Sequence, residues 1–247
     1  MGKKYELVNE SGSELFRIRA LRRFVGARGV IDLGELGGYV QGEHNLSHEG
    51  TCWISQGIAG ENAKVMEDAF IDGPGVRAMG DAIIKGLAVV RGAVYIQGFA
   101  VVRGKAFVGG SAIISGSAII EGSSRVIHSA IVTGSAIVRD DTIIEGNSRI
   151  RGTSIIEGNC RVNGHRLINS GRWRTAPPYA LVNGYEIRAV SPTMINIGCQ
   201  THTEKWWRNG KNTRKLLSTE RHIPFFEMGE IIRAFDYVAS ELRMRRR

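Results

Sequence analysis

The sequence predicts a mainly β protein: a parallel β-helix (a hexapeptide solenoid) with an N-terminal β-hairpin cap and a small α+β C-terminal module. Three observations point there. Glycine supplies 32 of the 247 residues while proline supplies only 5, a pairing that suits regularly turning β structure and rules out collagen. Apolar residues make up 43% and charged residues 23% of the chain, the balance of a folded protein rather than a disordered one. Above all, a six-residue unit recurs without interruption from residue 80 to residue 169, as in Gly110-Ser111-Ala112-Ile113-Ile114-Ser115.

The unit explains its own geometry. Glycine opens 13 of the 15 units, the third position is small in 13 of 15, and the fifth is Ile or Val in all 15, from Ile84 to Ile168. Side chains alternate along a strand, so positions three and five share the inward face. The glycine falls between strands, where positive φ is cheap for it. His128 and Asp140 replace it twice, and both residue types tolerate the left-handed region. Val94 and Arg166 are the two exceptions at position three. Ala63/Val65 and Ala69/Ile71 obey the same rule one residue out of phase, with the shift expected near Gly73-Pro74-Gly75. The reading is therefore a cap over 1–50, a solenoid over 51–169 and a C-terminal module over 170–247.

At the N-terminus, Lys4–Val8 and Glu14–Leu21 read as a hairpin across Asn9-Glu10-Ser11-Gly12. It would close an edge that otherwise invites strand pairing. After residue 170, Ala180–Val190 and Met194–Ile197 read as short strands around the turn signal Asn183-Gly184. The chain ends in a helix: Pro224 suits its first turn, and Phe225, Met228, Ile231, Ile232, Phe235, Val238, Ala239 and Leu242 make one apolar stripe.

The repeat resembles the hexapeptide-repeat, left-handed β-helix family. The resemblance implies three hexapeptides per triangular coil and a left-handed winding. Asp32-Leu33-Gly34, Gly37-Gly38-Tyr39-Val40 and Asn45-Leu46-Ser47-His48-Glu49-Gly50-Thr51-Cys52-Trp53-Ile54 resemble the lead-in to the helix in YdcK-like bacterial and phage proteins, which are often labelled acetyltransferases. The match covers roughly residues 3–169. It implies a phage or prophage setting, a homo-oligomer with a trimer favoured, and, as the alternative function, an acyl-CoA-dependent acyltransferase.

Position four of each unit should face outward. Every third unit stacks, so one column reads Ile83, Val101, Ile119, Ile137, Ile155 and is wholly aliphatic. At ~4.8 Å per rung it is ~19 Å long. Such a stripe marks a covered surface, and an oligomer interface is favoured over cover by the chain's own C-terminal helix. The sixth positions give Lys85, Arg103, Glu121, Arg139, Glu157, a charge ladder expected to be solvated and worth little per pair.

Catalytic and metal signals are sparse. An acyltransferase of this family would need a histidine base, and the weak candidates are His128, already explained by its turn, and His165. His44 and His48 are read as capping residues. No metal site is expected: Cys199-Gln200-Thr201-His202 offers at most two ligands, and Cys160 fills an inward slot. The sequence contains no phosphate-binding loop motif and no nucleophile elbow. The expectation is a non-catalytic scaffold or binding protein without cofactors, acyl-CoA entering only under the alternative.

The net charge of +9 is concentrated: the first 50 residues balance, the solenoid carries +2 and residues 170–247 carry +7. Lys205, Trp206, Trp207, Arg208, Lys211, Arg214, Lys215, Arg245, Arg246 and Arg247 mix cations with aromatics and are the candidate partner-binding residues. An acidic protein or a nucleic acid would suit them. The bland alternative places the tryptophans in a small core. No secretory leader and no run of ~18 apolar residues is read, and three cysteines fit a reducing compartment. The expected location is the cytoplasm, that of a host or a virion if phage-encoded, with no membrane partner.

Overall fold

The structure, a computed structural model, describes residues 2–10, 12–27, 29–215 and 225–245, with the side chains of 213–215 and 225–227 set aside. Its centre is a parallel β-solenoid with three flat faces. On the first face seven two-residue strands stack in order, among them Ile83–Ile84, Val101–Val102, Ile119–Ile120, Ile137–Val138 and Ile155–Ile156. The second face holds Val89–Gly92, Phe107–Gly110, Arg125–Val126, Ile143–Ile144 and Arg161–Val162. The third holds Tyr95–Ile96, Ile113–Ile114, Ile131–Val132, Arg149–Ile150 and Leu167–Ile168. Val101 pairs with Ile119 and Ile119 with Ile137, so one coil takes 18 residues.

The inward assignment holds. Ala112, Ile114, Ala118 and Ile120 are fully buried, as are their equivalents along the prism. Where the small inward residue is a serine its hydroxyl is satisfied locally: Ser124, Ser148 and Ser154 donate to the carbonyls of Glu121, Glu145 and Arg151 at 2.7–2.8 Å. The opening residues turn the corners. His128 and Asp140 sit at φ 62° and 61°, within the range of the opening glycines. Asp140 adds a bond, its carboxylate accepting from the Gly158 amide one coil on at 2.8 Å.

Phase shifts occur where the chain changes length per coil. Asp72 pairs 19 residues ahead with Arg91, while Arg77 pairs 18 ahead with Tyr95. The extra residue therefore lies within Gly73-Pro74-Gly75, as the pattern predicts, inside a strand Phe70–Ala78 that joins the second and third faces. The last coil is short by one: Ile155 pairs with Arg172 and Ile156 with Trp173. Strand pairing thus runs past residue 169, where the repeat is last readable, to Trp173. Trp173 takes the slot an aliphatic residue fills elsewhere, and its 4% exposure shows that it plugs the prism.

The N-terminal hairpin forms, Tyr5–Asn9 against Phe16–Ala20. Phe16–Ala20 pairs onward with Leu36–Val40, which lies parallel to Trp53–Ala59 of the first coil. The open edge is closed by this relay. Behind it Lys4 is buried and donates to the Cys52 carbonyl at 2.8 Å and the Cys52 thiol at 3.1 Å. The C-terminal module is a four-stranded antiparallel sheet of Tyr179–Val182, Tyr185–Ala189, Met194–Ile197 and Gln200–Thr203. Helix α1 (Glu204–Arg208) and helix α2 (Gly210–Lys215) follow, then helix α3 (Phe225–Met244), which packs on the first two strands. Met228, Ile231, Phe235, Val238, Ala239 and Leu242 are buried as the stripe predicts, but Ile232 is 40% exposed and lies outside it. Pro224 falls outside the described residues. Among those residues no helix is long and apolar enough to cross a membrane.

Candidate functional site

The aliphatic column stands on the first face. Ile83, Val101, Ile119, Ile137 and Ile155 are each half-buried, flanked by neighbours above and below. Helix α3 is committed to its own sheet, so the alternative that it covers the column is corrected. The column is flanked by cations, Lys64 before Ile83 and Arg172 after Ile155, and the equivalent columns of the other faces carry Arg125 and Arg161 on the second and Arg149 on the third.

The charge ladder beside the column is more ordered than a solvated array. Arg103 donates two hydrogen bonds to Glu121 at 2.8 and 2.5 Å. Arg139 grips Glu157 in the same way, one bond being 3.0 Å. Glu157 is only 3% exposed and also meets Arg174 at 3.0 Å and Arg172 at 3.6 Å. The Arg139 hydrogen bond, opposed by burial and helped by Arg174, holds its carboxyl below the usual range. This corrects the expectation of a solvated ladder at its C-terminal end: the final coil and the residues after it fold over the glutamate.

The histidines do not assemble a base. His128 is exposed at its turn. His165 is exposed and its Nε2 lies 3.0 Å from the Asn147 side-chain amide. His48 accepts the Lys4 amide proton at Nδ1 over 3.2 Å and stacks on Tyr5 at 4.2 Å, and burial lowers its pKa. His44 Nε2 lies 2.7 Å from the Glu61 carbonyl. The last two serve the cap. Among the described residues no group of three or more His, Cys, Asp or Glu is placed to hold a metal. Cys160 fills its inward slot at 2% exposure.

The basic C-terminal patch is largely spent on the chain itself. Trp207 is buried and its Nε1 donates to the Ile195 carbonyl at 2.8 Å. Trp206 stacks on His202 with centroids 3.6 Å apart. Arg208 pairs with Glu204 and Asp236, Arg243 with Glu204, and Arg245 with Glu241. The bland reading of the tryptophans is the one the geometry matches. Lys205 and Lys211 are exposed. The side chains of Arg214 and Lys215, and all of Arg246 and Arg247, lie outside the described residues.

A further cationic concavity lies elsewhere. A groove of about 480 Å³ runs up the third face to the C-terminal sheet, bordered by Ser129, Asn147, Arg149, Arg151, His165 and Arg188. Sequence reasoning passed over it because its arginines come from two separate stretches. The signal that was there is Arg166, the one charge in an inward slot. No protein-family model matches the chain, and the search of curated proteins finds no match.

Proposed function

We propose that the chain is a non-catalytic β-helical scaffold or binding protein that self-associates through its first face, a trimer being the assembly the hexapeptide resemblance suggests. The observation that carries this reading is the aliphatic column, five rungs without a charge between Lys64 and Arg172, on a face to which neither the four-stranded C-terminal sheet nor helix α3 is committed. Its polar border supports a second copy as the occupant. Glu121 and Glu157 are neutralised by Arg103 and Arg139 of the same chain. Apposing another copy therefore strands no carboxylate, a burial that would otherwise be costly. The unbroken coil from residue 80 onward argues in the same direction, since no loop leaves it to build an acceptor site. The phage or prophage setting rests on the lead-in segment alone. A basic surface for an acidic protein or nucleic acid is reduced to Lys205, Lys211 and the residues beyond. The acyl-CoA-dependent acyltransferase reading has in its favour only the place of His165 on the rim of the groove, and fold kinship does not carry activity.

The double substitution Ile119→Glu and Ile137→Glu tests the proposal. Both side chains point outward, so the core positions Ile120 and Val138 are untouched. Light scattering after gel filtration is expected to show a parent oligomer and a variant of smaller mass, with the β-type circular dichroism retained. A monomeric parent, or a variant of unchanged mass, sinks the first face as the interface.

A further inference from the structure

The groove on the third face has the chemistry of an anion site with an apolar floor. Its floor is the outward column of that face, where Ile113 and Ile131 precede Arg149 and Leu167 follows it, each one rung apart. Ile113 is 37% exposed, an aliphatic surface open to whatever lies in the groove. Arg149 and Arg151 are two residues apart on one strand and its exit, so both point outward on the same side, ~6.6 Å apart along the chain. Both are exposed, and neither has an ion-pair partner among the described residues. Arg91, Arg103, Arg139 and Arg161 of the solenoid each have a carboxylate; Arg77 and Arg125 also lack one but stand apart, whereas Arg149 and Arg151 stand side by side on one groove.

The walls add to the positive field instead of cancelling it. Arg188 is held rigidly, bonded to Glu186, Asn196 and the His165 carbonyl. Arg166 is half-buried and has no carboxylate: it donates to the Pro177 carbonyl and stands over the Tyr179 ring at 4.6 Å. Burial even lowers its pKa, the mark of a cation without enough compensation. Four arginines thus face one glutamate, Glu186, which Arg188 already takes. Beside the two free forks stand neutral donors, the Asn147 amide and the Ser129 hydroxyl.

We propose that this groove binds a small organic phosphate, its phosphoryl group between Arg149 and Arg151 and its apolar or ring portion on Ile113 and Ile131. Two planar forks suit a phosphate's several oxygens better than a carboxylate's two. A volume of about 480 Å³ is that of a small-molecule site and far exceeds what a bare ion fills. The site lies on the third face and belongs to one chain, so it stands or falls independently of self-association through the first.

Titration calorimetry on the full chain tests this, with phenyl phosphate, inorganic phosphate and benzoate as probes at fixed ionic strength. Phenyl phosphate is expected to bind about tenfold or more tightly than either of the others, because it alone engages both forks and floor. Arg149→Gln and Arg151→Gln should each weaken it by about tenfold, while Arg125→Gln on the second face should leave it unchanged. Both groove arginines are exposed, so the variants should keep the parent circular dichroism. As a readout that needs no variant, the His165 ring proton resonances should shift saturably with phenyl phosphate. Equal affinity of all three probes, affinity unchanged in both groove variants, or an unmoved His165 overturns the proposal. A single-stranded oligonucleotide that binds more tightly than phenyl phosphate through the same two arginines overturns the small-molecule assignment.

Discussion

At the scale of single residues the third position of the unit is the most demanding, because Val94 apart it takes only small side chains at full burial. Cys160 meets that demand and brings a titratable group with it. Its burial pushes the thiol up to about 11, well above the ordinary value of 9.0. The folded chain therefore holds a proton that the unfolded chain releases first, and stability falls as pH rises through the window from about 9 to about 11. A shift of this size corresponds to roughly 2–3 kcal/mol lost across that window. Cys160→Ala places the commonest residue of the slot there and removes the group. Denaturant midpoints measured from pH 8 to pH 11 should then fall less steeply in the variant. Cys52 and Tyr5, which also titrate high because they are buried, contribute equally to both curves and cancel. Parallel curves would refute the assignment. The neighbouring inward exception, Arg166, shows the limit of pattern reading: a broken rule was visible in the sequence, but its partners Pro177 and Tyr179 come from beyond the repeat, at the entry to the strand Tyr179–Val182.

At the scale of elements, the corners hold the design together. Each opening residue has positive φ, and the opening glycines from Gly80 to Gly152 lie directly over the chain of the next coil. A Cβ built on Gly116 at φ 70° would stand 2.8 Å from the Gly134 carbonyl oxygen. Two penalties coincide there, a left-handed backbone and a backbone collision. Gly116→Val should therefore cost roughly 1–3 kcal/mol. His128 already pays the first penalty at φ 62°, so His128→Gly should stabilise by about 0.5–1 kcal/mol, the strain relieved less the entropy added to the unfolded chain. Opposite signs in urea melts support the corner geometry, and two destabilising changes would refute it. The corners, the hairpins and helix α3 were legible because each has a local signature: period six, a turn dipeptide, an amphipathic stripe. Gln200–Thr203 and the short helices α1 and α2 were not, since four to six residues hold too little period to read. Arg172–Trp173 escaped for a different reason: one deleted residue put it out of phase with the repeat, and only the pairing with Ile155–Ile156 reveals it.

For the whole molecule, the solenoid is close to one-dimensional, each coil touching its neighbours along the stack, and its stability builds from rung to rung. Both ends are closed within the chain, by the relay of Leu36–Val40 onto Trp53–Ala59 and by the Trp173 plug. Closed ends disfavour growth end to end, so the proposed self-association is assigned to a lateral face. The three faces are not equivalent for that purpose. The second interrupts its column with Arg125 and Arg161, and the third is met at Leu167–Ile168 by the C-terminal sheet. The first keeps its charges, Lys64 and Arg172, at the two ends of its column, leaves five aliphatic rungs between them, and is bordered by satisfied ion pairs. The composition of each face could be read from the sequence, but which face the C-terminal module leaves free could not, since that depends on tertiary packing without a repeat. The proposed lateral association through the first face would link folding to concentration, because only the folded chain presents the column. For a trimer of chains this size, a hundredfold rise in protein concentration should raise the melting temperature by about 3 °C. The Ile119→Glu, Ile137→Glu variant should melt at one temperature across the same range. A parent whose melting temperature ignores concentration would mean that the column stays exposed in solution, and the scaffold reading would lose the observation that carries it.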